Sequence, residues 1–220
     1  MSHLPNRRVH VNNPANWATE MGTDYWYFCN SATVVTGLTG WTMTALSLTA
    51  SGLLADMHSS ADIDPYSISF GAASDQLLSP IIWGGYEWQK AVAGILGYAP
   101  SQLCYEVFAK FPTNSANEPT TCFGFVKGVP LTAGNAVATI YTTGANWTLT
   151  DGTVTDAGAA DDASWHLFKV VMDTANTEWF LDGASQGTIT TETDEFPIGF
   201  GASCTTTNRI EINYIHVWAQ

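Results

Sequence analysis

Basic residues are scarce in this chain. Seven lysines and arginines face twenty aspartates and glutamates, for a formal charge of −13 over 220 residues. A surface of that sign repels phosphates, so nucleic acid is excluded as a partner class. Two of the seven, Arg7 and Arg8, fall within the first eight residues, and five serve the rest. Residues 1–20 therefore read as a locally basic arm, either solvated or docked through Arg7 and Arg8 on an acidic neighbour. Cysteine is sparse too. Cys29, Cys104, Cys122 and Cys204 match no zinc spacing and form no Cys-x-x-Cys. Their disulfide state is open among three pairings, with buried free thiols as the expectation. Long apolar runs are missing. Residues 25–55 lack charge, but threonine, serine and glycine interrupt them, whereas a membrane helix needs about 20 predominantly apolar residues. No membrane span is expected, and the N-terminus shows no apolar segment of a secretory signal.

What is abundant points to strands. Aromatics make up 12% of the chain, with nine tryptophans, in segments rich in Thr, Gly, Ala, Asn and Ser. That mixture suits pleated strands joined by turns and is short of helix formers. A chain of this length buries roughly 70% of its unfolded surface, enough for one core without metals or staples. One domain over residues 21–220 follows.

The second half has the clearest pattern. "SWHLFKVVMD" (164–173) is an apolar strand bounded by the polar "DAGAADDA". "TEWFLDGASQGTI" (177–189) is a strand, an Asp182-Gly183 turn and a return strand, since Asp-Gly supplies the two positive φ angles of a type I′ turn. "RIEINYIHVW" (209–218) alternates so that Ile210, Ile212, Tyr214, His216 and Trp218 share one face. Arg209, Glu211 and Asn213 take the other, which ends in Ile215 and Val217. "QLCYEVFAKF" and "TCFGFVKG" read as a hairpin around "PTNSANEPT", and "AVATIYTTGANWTLTDG" as one or two strands. Earlier, "DYWYFCN", "WTMTALSLT" and "DPYSISFGAAS" are strand candidates, and "EWQKAVAGILGY" (87–98) is a turn or two of helix weakened by Gly94 and Gly97. Ten to thirteen strands without an internal repeat imply an all-β, single-domain antiparallel sandwich.

The order "SWHLFKVVMDTANTEWFLDGASQGTI", a polar loop, then "IEINYIHVW" resembles the back half of the concanavalin A-like lectin/glucanase jelly roll of LamG type. That group has a Trp-His strand, a Phe-x-Asp-Gly hairpin and a late strand returning beside the N-terminal one. The likeness covers roughly residues 100–220; Asn213 stands where members often carry Asp. It implies a jelly roll and says little of function, because one fold hosts many activities.

Glucanases of this group resemble one another in a Glu-x-Asp-x-Glu strand, whose alternation aims three carboxylates into one cleft. Retaining cleavage needs the two working carboxyls about 5 to 5.5 Å apart. Here "TETDEF" (191–196) spaces Glu192, Asp194 and Glu195 so that Glu195 points away from the other two, and Pro197 follows. A solvated connection is the reading. Polysaccharide lyases of this fold use Arg, Gln-x-His and Tyr-x-Lys sets, and no such set stands in this sequence. No nucleophile elbow, phosphate loop or zinc-protease motif occurs either. His166 and His216 read as hydrogen-bonded core histidines. No catalytic residues, metal site or cofactor are assigned.

Glycan recognition would need aromatic planes beside hydrogen-bonding groups in a concave site. The candidates are Trp83, Tyr86 and Trp88 in "IIWGGYEWQ", Asn146 and Trp147 in "GANWT", and Trp41. Asp156, Asp161 and Asp162 could offer oxygens to calcium but lack a loop spacing, so an acidic turn is expected. Two functions follow. The first is a non-catalytic structural or interaction protein, a subunit on a virion surface such as a phage capsid decoration or tail component. It would associate with itself or with other virion subunits and touch glycans. The lectin-like sandwich without an export signal motivates the virion setting, with secretion by another route as the alternative. The second is a glycan-active enzyme, a glycoside hydrolase or polysaccharide lyase, or its carbohydrate-binding module.

Overall fold

The computed structural model describes residues 24–28, 42–44, 68–70, 75–78, 101–111, 121–128, 133–191, 198–204 and 210–219. Among these are fourteen strands. The first four are β1 (Asp24–Phe28), β2 (Thr42–Thr44), β3 (Ile68–Phe70) and β4 (Asp75–Leu78). Then come β5 (Leu103–Lys110), β6 (Cys122–Val126), β7 (Ala136–Thr142), β8 (Asn146–Thr150) and β9 (Thr155–Ala160). The last five are β10 (His166–Met172), β11 (Asn176–Leu181), β12 (Ala184–Thr190), β13 (Gly199–Cys204) and β14 (Ile210–Ala219). Sheet I runs β1-β14-β5-β10-β11-β12, with β3 pairing the first part of β14; sheet II runs β2-β4-β13-β6-β7-β8-β9. The strand pairs in both sheets are antiparallel, and the two sheets pack as a sandwich, as the strand pattern predicted.

The core sits between the sheets. From sheet I, β5 sends Leu103, Tyr105, Val107 and Ala109 inward on alternate positions, and β10 sends Phe168, Val170 and Met172. Sheet II answers with Phe123, Phe125, Ile140, Trp147, Leu149 and Phe200, all fully buried. Tyr105 stands edge-on to Phe125 at 4.9 Å and to Phe200 at 5.7 Å. Its hydroxyl donates to the Ala138 carbonyl at 3.0 Å, so the buried phenol has a partner across the sandwich. Gly124, at φ +141°, makes room for that contact: a Cβ there would lie 2.8 Å from the Tyr105 hydroxyl.

The Asp182-Gly183 hairpin forms as expected, with φ +49° and +84° at its two central residues. β14 does return beside β1, pairing Asp24 with Trp218. Four expectations need correction. β5 and β6 are not a hairpin: β5 pairs with β14 and β10 in sheet I, and β6 with β13 and β7 in sheet II. Eleven residues separate them, too many to enforce pairing, and Phe111, just after β5, is buried against Phe123 of β6 at 5.6 Å. Next, "DAGAADDA" is not merely a polar boundary, because it contains most of β9. That strand is an edge, and an edge needs no apolar stripe to stay paired with β8.

Third, the single-face reading of "RIEINYIHVW" fails halfway. A bulge between Ile212 and Tyr214 adds one residue, so Ile210 and Ile212 point inward, and beyond it Ile215 and Val217 do. His216 and Trp218 are consequently turned out, half-buried, on the outer face. Fourth, the described strands already exceed thirteen, and β4 had no sequence signal. Cys104 and Cys122 are buried free thiols, pushed by that burial up to about 12 and about 11 respectively. Of Cys29 and the Cys204 side chain nothing is described.

Candidate functional site

The bulge in β14 and the pleat of β5, β10 and β11 together assemble an aromatic surface. Cross-strand pairing sets His216 opposite Glu106, Glu106 opposite Lys169, and Lys169 opposite Phe180, one row across four strands of sheet I. Trp218 stands in the next row, opposite Cys104. All of the row's residues and Trp218 are half-buried. Trp218 stacks on His216 with centroids 4.3 Å apart and planes at 19°. The Lys169 ammonium lies 5.6 Å from the Trp218 ring and 5.8 Å from Phe180, bridging the two by cation–π attraction.

A second shelf lies on the same face. Trp165, just ahead of β10, stacks on Phe108 of β5 at 5.1 Å and 24°, and the Lys110 ammonium sits 6.0 Å from the Trp165 ring. Phe108 and Trp165 are half-buried as well. Two stacked pairs and Phe180 therefore present ring surface, held at fixed tilt by neighbours rather than free to rotate. Among the described side chains, sheet II shows no comparable set of rings on its outer side. On its outer side Thr139, Thr148, Thr150, Ser203 and Cys122 are all 2% exposed or less, so those polar groups lie away from solvent.

At one end of the sandwich His166 is gripped by two carboxylates. Its Nδ1 is 2.6 Å from Asp182 Oδ2 and its Nε2 is 2.8 Å from Asp162 Oδ1. The ring is edge-on to Trp147 at 5.8 Å and to Phe168 at 6.1 Å. Burial acts to lower the imidazole's pKa, but hydrogen bonding and charge from both aspartates outweigh it, and the net is a raised value. The His166 hydrogen bond is also the main reason that Asp162 is held below the ordinary carboxylate value. His166 is thus hydrogen-bonded as read from sequence, but at the rim and through charged partners.

Of the glycan-contact candidates named from sequence, Asn146 and Trp147 are described. Alternation along β8 sends Trp147 into the core with no exposed surface, packed at 5.0 Å on Phe168 and 5.1 Å on Phe111. That indole has no face to offer a ligand, which corrects its candidacy. Asn146 donates from Nδ2 to the Gly158 carbonyl at 2.9 Å and serves the β8–β9 pairing. Trp41, Trp83, Tyr86, Trp88, Arg7 and Arg8 lie outside the described residues, as do Glu192, Asp194, Glu195 and the segment 87–98. Of "TETDEF" the structure describes Thr191, buried and hydrogen-bonded to Thr177 at 3.0 Å.

The acidic cluster disperses. Asp156 accepts the Trp179 indole N–H at 2.9 Å, Asp161 accepts the Thr142 hydroxyl at 2.6 Å, and Asp162 faces His166. Among the described residues no group of three or more His, Cys, Asp or Glu is placed to hold a metal. Among them, too, no helix is long and apolar enough to cross a membrane. Sequence reasoning missed the outer face of sheet I. Trp218 and His216 take the side opposite to the one that strict alternation from Ile210 gives, because the bulge has no sequence signature.

No protein-family model and no curated protein matches the sequence. Solved structures do share its fold. The Emp47p carbohydrate recognition domain aligns over 89% of this chain and 95% of its own, at 11% identity and a TM-score of 0.50. The Crh5 transglycosylase aligns over 89% of this chain and 83% of its own, also at 11% identity and 0.50. A sialidase aligns over 89% of this chain but 18% of its own, at 10% identity and 0.52. The fold is therefore a lectin-like, jelly-roll β-sandwich, which this chain shares with a carbohydrate recognition domain, a transglycosylase and part of a sialidase.

Proposed function

We propose that this chain is a non-catalytic interaction module that holds glycan against the aromatic outer face of sheet I. The observation that carries the reading is the fixed, half-exposed set of ring planes formed by Phe108, Trp165, Phe180, His216 and Trp218. Pyranose faces are apolar and flat, and such planes bind them by dispersion and C–H contacts, with Glu106 and Lys169 standing between the rings. The fold's occurrence in a carbohydrate recognition domain supports it. Among the described side chains the face carries three carboxylates, Glu106, Glu178 and Glu211, against Lys110 and Lys169, so neutral glycans are favoured over anionic ones.

The setting we propose is a larger surface assembly, with a virion as the case that the lectin-like sandwich and the basic Arg7–Arg8 arm suggest. Trp83, Tyr86 and Trp88 remain proposed as a second platform. The rival reading, a glycan-active enzyme working through Glu192 and Glu195, is supported by likeness of fold to a transglycosylase. Native electrophoresis in gels cast with soluble neutral polysaccharides tests the proposal. The chain should be retarded, and Trp218→Ala and Phe180→Ala should each reduce retardation by about three- to tenfold in affinity, the value of one aromatic contact. Unchanged retardation in both variants would contradict it, and loss of glycan cleavage in Glu192→Gln would favour the rival.

A further inference from the structure

The grip on His166 has a consequence for the aromatic face. A neutral imidazole has one N–H, so it can donate to only one of two carboxylates. With Asp182 and Asp162 both within hydrogen-bond distance, the geometry requires a ring protonated at both nitrogens, or a proton shared with one acid. The two acids are not equally held. Asp182 is fixed by the β11–β12 turn: its Oδ1 accepts the Leu167 N–H at 2.9 Å, and its own N–H donates to the Leu167 carbonyl at 2.8 Å. Asp162 belongs to the connection between β9 and β10, is 56% exposed at its side chain, and accepts otherwise from the nearby Ser164 N–H.

That connection is unusual in its backbone. Ala163 stands at φ +61°, in the left-handed region that a residue with a Cβ seldom adopts. Two aspartates hold it there, Asp161 accepting the Ala163 N–H at 3.0 Å and Asp162 accepting that of Ser164. Two residues further on comes Trp165, whose ring stacks on Phe108 in the aromatic face. The strained connection, the histidine and the exposed shelf are thus one continuous piece.

We infer that His166 is a proton-dependent latch on the Asp162–Trp165 connection, so that Trp165 is held on Phe108 when the ring is an imidazolium and loosens when it is neutral. The inference rests on the glycan reading only for its effect on binding. When the ring loses a proton, the shorter Asp182 contact keeps the remaining N–H at Nδ1. The lone pair at Nε2 then faces the Asp162 carboxylate, and like charge density separates them. Among the described residues, nothing else packed on the ring is shown to supply a compensating charge. β8 presents Trp147, β10 presents Phe168, and β5 pairs through Ala109. Lys110, next along β5, lies over Trp165, and Asp161 is tied to Thr142.

The full chain tests this by proton–nitrogen NMR of the histidine and tryptophan rings, with gel retardation on a soluble neutral β-glucan, from about pH 5 to about pH 9. The Trp165 indole resonance, assigned through Trp165→Phe, should move together with the His166 titration. Retardation should weaken about three- to tenfold through the same interval. Asp162→Asn should flatten both changes. A Trp165 resonance indifferent to His166, or pH dependence that persists in Asp162→Asn, would overturn the latch. Folded protein with no retardation at any pH would overturn the glycan reading instead, and the resonances would still decide the latch. Should Asp162→Asn fail to fold, His166→Gln serves, with weak and pH-independent retardation expected.

Discussion

Single residues here are legible where chemistry is local. Asp182 and Gly183 announced their turn, because few residue pairs accept positive φ twice in succession. The thiols were expected to be buried, and Cys104 and Cys122 are. Burial removes the solvent that would stabilise a thiolate, so neither should react with an exposed-thiol reagent in the folded state at neutral pH, and both should react on denaturation. Rapid modification of the native protein at either residue would contradict that placement. Trp147 shows the limit of residue-level reading. "GANWT" offers Trp147 as a candidate plane, yet pleat parity along its strand sends the indole into the core. His166 makes stability depend on pH with a definite sign. Its folded pKa lies above the ordinary 6.5, so its contribution is complete below 6.5 and is lost as pH rises through the raised value. Asp162, shifted down, contributes above its ordinary 3.8 and loses that as pH falls through its lowered value. Thermal melts should therefore show a lower Tm on the alkaline side of the histidine range, and a smaller drop in His166→Gln.

At the scale of elements, what decided success was whether the turn between two strands was short. The β11–β12 pair follows from a two-residue connection, which fixes the partner and the register beside the turn, up to a bulge at Trp179/Phe180. Ala in place of Gly183 should cost about 1 kcal/mol, since a Cβ at φ +84° is strained though nothing crowds it; equal stability by chemical denaturation would count against the turn geometry. Long connections carry no such instruction, and β5 and β6, each a convincing strand, were paired with one another when they belong to opposite sheets. β9 and β14 failed for different reasons. An edge strand of Thr, Asp, Ala and Gly has the composition of a loop, and only its ladder to β8 distinguishes it. A bulge inserts one residue without changing composition, so parity counted from Ile210 was right to Ile212 and reversed beyond it.

For the molecule as a whole, composition sufficed to give the sandwich but not the site. Threonine, glycine and aromatics without helix formers leave layered strands as the economical way to bury so many rings. Which rings remain outside depends on sheet order and on a single bulge, and both are properties of the assembled fold. Their product is a face on which Trp218, His216, Phe180, Phe108 and Trp165 stand half-exposed with lysines parked over three of the rings, in a protein of charge −13. The most direct test is amide and indole chemical-shift mapping of the full chain during titration with a neutral oligosaccharide that the gels identify as retained. The account predicts saturable shifts concentrated on the outward residues of β5, β10, β11 and β14 and on the Trp165 and Trp218 indoles. Shifts confined to residues elsewhere, with those two indoles unmoved at saturation, would contradict it.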